Sequence, residues 1–378
     1  MNTPPTFPAP ARNAGLDALK AALTVLVVFH HTAIAYGASG SWFLQEIAPD
    51  GSLSSLVLTI FCTLNQAFFM GLFFLIAGSM TPGAIRRRGA ATFLRERLLR
   101  LGLPFVAFVL VLGPLAVALA KIPDGIPVLA TLSRLAREGA VIPGPMWFVE
   151  ALLIFSAVYV ALRALLRPQR LERPRPFPSN RLLAAGALGV GAAAFLLRLR
   201  WPAGAAVLAL QLGYFPSYVV LFLAGCLGAE GKWLQRIPDG QTAAWLKISI
   251  GAAIALVAVL AGLRASGGDT GAASGGWTLL AAFYAVWEPL FAWGAIMALL
   301  VVFQRRFVAL GPVGSRLARR AYLVYVIHPP VLVGVTLVLG GLAAPALVKV
   351  LLAGSAACAL CFGLAGLLLL IPAVRRVV

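Results

Sequence analysis

Three histidines, a pair of arginines three residues apart and two isolated carboxylates are the groups through which this chain could do chemistry. His30 and His31 close the run L-D-A-L-K-A-A-L-T-V-L-V-V-F-H-H, in which Lys20 precedes His31 by eleven residues. On a helix that spacing returns to within about 20° of the same face and rises ~16 Å, so Lys20 and His31 share a stripe and His30 points elsewhere. Thr24 lies near that stripe, and Asp17 can pair with Lys20 one turn away. Arg97 and Arg100, in F-L-R-E-R-L-L-R-L-G-L-P, sit one turn apart and suit a two-guanidinium clamp on phosphate. Glu150 in M-W-F-V-E-A-L-L and Glu288 in V-W-E-P-L-F-A-W need a partner if buried, and either is able to orient a histidine or pair with an arginine. His328 follows Tyr322 and Tyr325 in Y-L-V-Y-V-I-H-P-P, where two prolines open a helix and can shape a substrate channel. Structural readings remain open for each: a histidine satisfied by a carbonyl, a snorkelling lysine, a charged loop.

These residues are set in a chain that is 61% hydrophobic and 11% charged, with mean hydropathy +0.94. So few charges cannot cover a water-exposed surface, and the composition points to a bilayer. Ten stretches approach the ~20 apolar residues of a spanning helix, at 17–37, 57–80, 101–121, 146–166, 181–199, 206–228, 245–264, 278–303, 322–340 and 346–371. Most of the 31 Lys and Arg residues fall in alternate connections and at both termini. This bias predicts an all-α, multi-pass protein of the inner (plasma) membrane, with about ten transmembrane helices and cytoplasmic termini. Residues 1–15 are expected to be a disordered cytoplasmic segment, without a cleavable signal peptide, and 16–378 one membrane domain with no soluble appendage. The Pro- and Arg-rich stretch from Arg163 to Arg181 reads as a solvated connector.

The net charge of +19 fits these connections, and with no soluble basic domain a nucleic-acid partner is not expected. Cys62, Cys226, Cys358 and Cys361 fall inside apolar runs and read as small buried thiols. With only three histidines, one of them distant in sequence, no metal site is expected. Nucleotide-binding glycine loops, nucleophile elbows and H-E-x-x-H are all missing from the sequence.

The first span, F-F-L-I-A-G-S at Phe73 to Ser79, R-L-L-R-L-G-L-P at Arg97 to Pro104, P-M-W-F-V-E-A-L-L at Pro145 to Leu153, and Y-L-V-Y-V-I-H-P-P occur in the order found in the acyltransferase 3 family. The chain resembles that family over nearly its whole length, and within it the branch that succinylates periplasmic glucans. The family's first helix carries Arg, ten residues, then His. Here Lys20 stands in the arginine's place, keeping charge but losing the planar fork. The resemblance implies that His31 is catalytic, as general base or transient acyl carrier, with Lys20 and a carboxylate such as Glu150 in support. It implies that Arg97 and Arg100 bind acyl-coenzyme A from the cytoplasm as a co-substrate, no cofactor being permanently bound. His30, Glu288, Tyr325 and His328 are candidates for the substrate channel. The acceptor would be a hydroxyl of an envelope glycan, and the acyl group acetyl or succinyl. A transporter or flippase for a glycan or lipid intermediate would use the same cavity without chemistry. A non-catalytic membrane partner of a synthase complex is a third reading.

Overall fold

The computed structural model describes residues 13–166 and 173–377, and among them it is built of helices. In chain order the main elements are α1 (Ala14–Ala35), α2 (Leu53–Arg88), α3 (Ala90–Ala120), α4 (Val128–Arg137), α5 (Trp147–Leu165) and α6 (Asn180–Arg198). They continue with α7 (Phe215–Gly228), α8 (Asp239–Ala265), α9 (Leu279–Arg306), α10 (Pro312–Leu339) and α11 (Ala346–Leu368). Among the described residues nine helical segments are long and apolar enough to cross a membrane, and Leu212–Gly228 is a shorter apolar one. This is the expected all-α polytopic architecture.

The sixth stretch is shorter than the expected 206–228 because Leu208 and Ala209 adopt left-handed backbone, so the helical run starts only at Leu212. α4, which the hydropathy pattern did not foresee, lies in the connection after α3 and has polar and apolar faces suited to an interface. Most of the expected N-terminal segment and residues 167–172 of the connector lie outside the described residues; Ala14 and Gly15 are already helical, capped by the Asn13 side chain.

Several helices extend beyond the apolar runs. α2 passes through Pro82 to Arg88, and α10 begins at Pro312 rather than near residue 322, carrying Arg316, Arg319 and Arg320 on its first turns. Hydropathy marks the bilayer core, whereas a helix can continue into the interface with long basic side chains reaching for water. A single residue, Gly89 at φ +79°, turns the chain from α2 into α3. Arg95, Arg97 and Arg100 therefore lie on helix, not in a loop. Within α3, π-helical turns at Leu98–Gly102 and Phe108–Leu112 centre on Arg100 and Leu110, each four residues before a proline. Pro104 and Pro114 cannot donate to those carbonyls, and the ladder re-registers around the gap.

α1, α2 and α10 are the most buried spans and α8 the least. α1 packs against α2, α9, α10 and α11, so its residues face protein on most sides. α2 crosses α7 at Gly78 and Gly225; a Cβ on Gly78 would stand 2.1 Å from the Phe222 carbonyl oxygen, and one on Gly225 2.2 Å from that of Leu75. Lipid offers helices no hydrophobic reason to associate, so close backbone approach at small residues carries such contacts.

Candidate active site

α10 prepares the site from its sequence upward. Pro329 has no N–H, which leaves the carbonyl of Tyr325, four residues earlier, without its helical donor. His328 Nδ1 lies 2.6 Å from that oxygen. A carbonyl only accepts, so Nδ1 carries the proton and, in the neutral ring, Nε2 carries a lone pair. That Nε2 is 3.1 Å from Nδ1 of His31. His31 Nδ1 must then donate, and its Nε2 is left as the basic nitrogen. A proline, a carbonyl and a fully buried histidine thus fix the tautomer of a second histidine 297 residues away. The Tyr325 hydroxyl donates to the Pro145 carbonyl and ties α10 to the turn before α5.

His31 also stacks on Trp42, ring centroids 4.1 Å apart and 17° from parallel. Trp42 belongs to the connection between α1 and α2. That connection is held by the Glu46 amide on the Ala35 carbonyl (2.9 Å), by Ser55 Oγ on the Gly37 carbonyl (2.6 Å), and by a salt bridge from Lys349 of α11 to Glu46. The imidazole packs its face on Trp42 and meets His328 at its Nδ1 edge, and it lines a cavity of about 500 Å³. This outer chamber is bounded by α1, α2, α8 and α9 and by the connections around Ser39, Gly204 and Ser274. Those connections join helices at the face opposite the arginine-rich ends. His30, Gln66, Trp147, Tyr214, Tyr284 and Tyr325 are among its walls.

A second cavity, about 400 Å³, lies toward the arginine-rich face. Lys20, Arg88, Arg97, Arg100 and Tyr322 line it, with Glu96 as the one acidic side chain among the described lining residues. Glu96 is paired with Arg88, and Asp17 pairs with Lys20 at 2.8 Å. The Arg97 guanidinium lies 5.2 Å from the centroid of the Phe93 ring. The chamber is a cationic recess, built where α1, α2, α3 and α10 meet. Residues eleven apart on α1 serve the two chambers, Lys20 the inner and His31 the outer; on α10, Tyr322 and Tyr325 do the same one turn apart.

A family model described as an acyltransferase domain, acyltransferase 3, matches residues 13–369. The chain belongs to the acyltransferase 3 family. It is a multi-pass membrane acyltransferase. No curated protein and no solved structure matches it.

The acyltransferase 3 spacing of basic residue and histidine on the first helix thus spans two chambers, and the family's paired arginines face the same recess as Lys20. Other residues singled out in the sequence are placed apart. Glu150, on the first turn of α5, lines neither chamber. Glu288 forms a buried salt bridge with Arg198, so it stands with an arginine rather than with His31. His30 lines the outer chamber with its ring edge-on to His31, centroids 5.4 Å apart, and its Nδ1 has no hydrogen-bond partner. The group against Nδ1 of His31 is His328, not a carboxylate. Sequence reasoning had put His328 in the channel without seeing that contact, and it missed Trp42, Gln66, Tyr214 and Tyr284 entirely. Gln66 carried a signal, a primary amide in the longest uncharged run; Trp42, in a connection, carried none.

Proposed function

We propose that the protein moves a short acyl group from cytoplasmic acyl-coenzyme A to a hydroxyl of an envelope or secreted glycan, working in the inner membrane. The observation that carries the reading is the 3.1 Å contact of His328 with Nδ1 of His31, which leaves Nε2 as the basic nitrogen of a histidine that lines the outer chamber. The coenzyme A phosphates dock on Arg97 and Arg100, with Lys20 beside them. Its slender pantetheine arm runs along α1 and α10, presenting the thioester at His31. The acceptor hydroxyl enters from the opposite face. Nε2 of His31 takes the hydroxyl proton as the oxygen attacks the thioester carbonyl. The resulting tetrahedral centre expels the coenzyme A sulfur, which leaves with that proton as the free thiol. While His31 holds the proton, Nε2 of His328 accepts a charge-assisted hydrogen bond from Nδ1 and supports the imidazolium. His328 thus does for orientation what a carboxylate does elsewhere, without adding a negative charge inside the membrane.

Two features favour chemistry over transport of an unmodified glycan. A cationic recess on the far side serves an anionic donor, not an extracytoplasmic sugar. A histidine with an imposed tautomer serves proton transfer. The test is release of free coenzyme A from acyl-coenzyme A by purified protein in lipid, with a glycan extract as acceptor. Release by the wild type that disappears in His31→Ala is the expected result. Passage of glycan across the bilayer without any coenzyme A release would replace this reading with the transporter.

A further inference from the structure

The two chambers differ in charge, and the difference bears on which acyl group is carried. Among the described residues lining the outer chamber there is no Lys, Arg, Asp or Glu. Among the described residues the buried Lys and Arg side chains are Lys349, paired with Glu46, and Arg198, whose guanidinium stacks on Tyr214 and Tyr284 with its carbon 5.0 and 5.1 Å from their centroids. Both tyrosines line the chamber, but Arg198 does not. Its Nε donates to the Gly213 carbonyl (3.1 Å) and its Nη2 to Glu288, so its charge is already matched. Its Nη1 has no hydrogen-bond partner, yet it exposes under 1 Å².

Several neutral donors around His31 are also engaged, although the Trp42 indole N–H, stacked over it, is buried without a partner. The Gln66 amide donates to the Tyr218 hydroxyl (3.1 Å), Thr63 Oγ1 to the Thr59 carbonyl (2.8 Å) and the Cys62 thiol to the His30 carbonyl (3.6 Å). His328 is held against Nδ1 of His31, and besides His31 itself the one described lining residue able to become a counter-cation is His30. Its ring is 5.4 Å from that of His31, which must itself turn positive in the reaction, and like charges that close oppose one another. A succinyl or other dicarboxylic half-ester keeps its carboxylate within a few bonds of the reacting carbonyl. That anion would therefore enter the chamber whenever the thioester reached His31. An unpaired charge inside a membrane protein is among the costliest groups to place.

We infer that the acyl group transferred is uncharged, of the acetyl class, and that the outer chamber excludes dicarboxylic half-esters. The inference rests on the acyl-coenzyme A transferase reading above and narrows its donor. The inner recess takes the donor's negative charge and the outer chamber takes the part that has none.

The experiment compares acetyl-, propionyl-, succinyl- and glutaryl-coenzyme A as donors for the full chain in lipid nanodiscs. It reads His31-dependent coenzyme A release with a glycan extract present. Acetyl- and propionyl-coenzyme A are expected to exceed the two anionic donors in kcat/KM by at least ~100-fold, the discrimination available when a buried charge has no partner. Gln66→Arg, which puts a cation on the chamber wall, is expected to shift the succinyl-to-acetyl ratio upward by at least ~10-fold. Gln211→Arg, in the connection before α7, repeats that test at a site outside the spans should Gln66→Arg fail to insert. A wild-type kcat/KM for succinyl-coenzyme A equal to or above that for acetyl-coenzyme A overturns the inference and leaves the transferase standing. Absence of His31-dependent release from every donor overturns the transferase reading, and the inference falls with it.

Discussion

The outer chamber and the inner recess are comparable in volume and share α1, α2 and α10, yet their walls have opposite characters. Outside, aromatic rings, amides and hydroxyls surround one histidine whose tautomer is imposed by a second. Inside, Lys20, Arg88, Arg97 and Arg100 face a space with a single acidic side chain among the described residues, already paired. The outer chamber has the parts for moving a proton and few for holding a charge; the recess has the reverse. In the proposed reaction, catalysis and donor capture are separated along the membrane normal, with α1 carrying one principal residue of each.

That separation predicts different kinetic signatures for the two regions. The largest effect is expected from His31→Ala, which removes the basic nitrogen and should lower kcat by ~10²–10⁴-fold with little change in KM for the donor. Arg97→Ala combined with Arg100→Ala should do the opposite. Losing two charge-assisted contacts should raise KM for acyl-coenzyme A by ~10–100-fold and leave kcat nearly intact, which initial rates over a wide donor range would show. A fall in kcat as large as that of His31→Ala, without the KM change, would contradict the division between the chambers.

His328→Ala should cost ~10-fold or more in kcat, because His31 Nδ1–H loses a buried acceptor and with it the fixed tautomer. His328→Gln, whose side-chain oxygen can accept near the position of Nε2, should recover part of that loss. A merely structural role for His328 would give equal activity in the two variants. The smallest effect is expected at Lys20→Arg. It keeps the charge and the Asp17 partner and should change the donor's KM by no more than ~3-fold, whereas Lys20→Ala should raise it by ~10-fold.

Much of the inner recess was legible in the sequence, because its cations stand out against apolar surroundings and their spacing is helical. Lys20 and the Arg97–Arg100 pair needed only the additional fact that α2 and α3 turn on Gly89 and fold back beside α1. The outer chamber was less legible. The stripe holding His31 could be computed, but its partner lies on α10, and no local pattern reports which spans touch. The H-P-P of α10 did contain half the answer, since a proline frees the carbonyl four residues before it, and that carbonyl is what fixes His328. The Arg198–Glu288 pair was half legible too: a buried carboxylate requires a partner, but Arg198 sits at the end of α6, where it reads as ordinary interfacial charge. Boundaries at Ala90 and Pro312 were misplaced for the same reason, arginines on helical turns being read as loop.

The most direct test of the central claim is sidedness. Acyl-labelled acyl-coenzyme A is supplied only to the arginine-rich face of the protein in sealed, oriented proteoliposomes, with the glycan acceptor confined to the other side. The expected result is label on the glycan and free coenzyme A left on the donor side, both abolished in His31→Ala. Label that stays in the donor compartment, or crosses still attached to coenzyme A, would contradict a transferase built from two chambers on one helix.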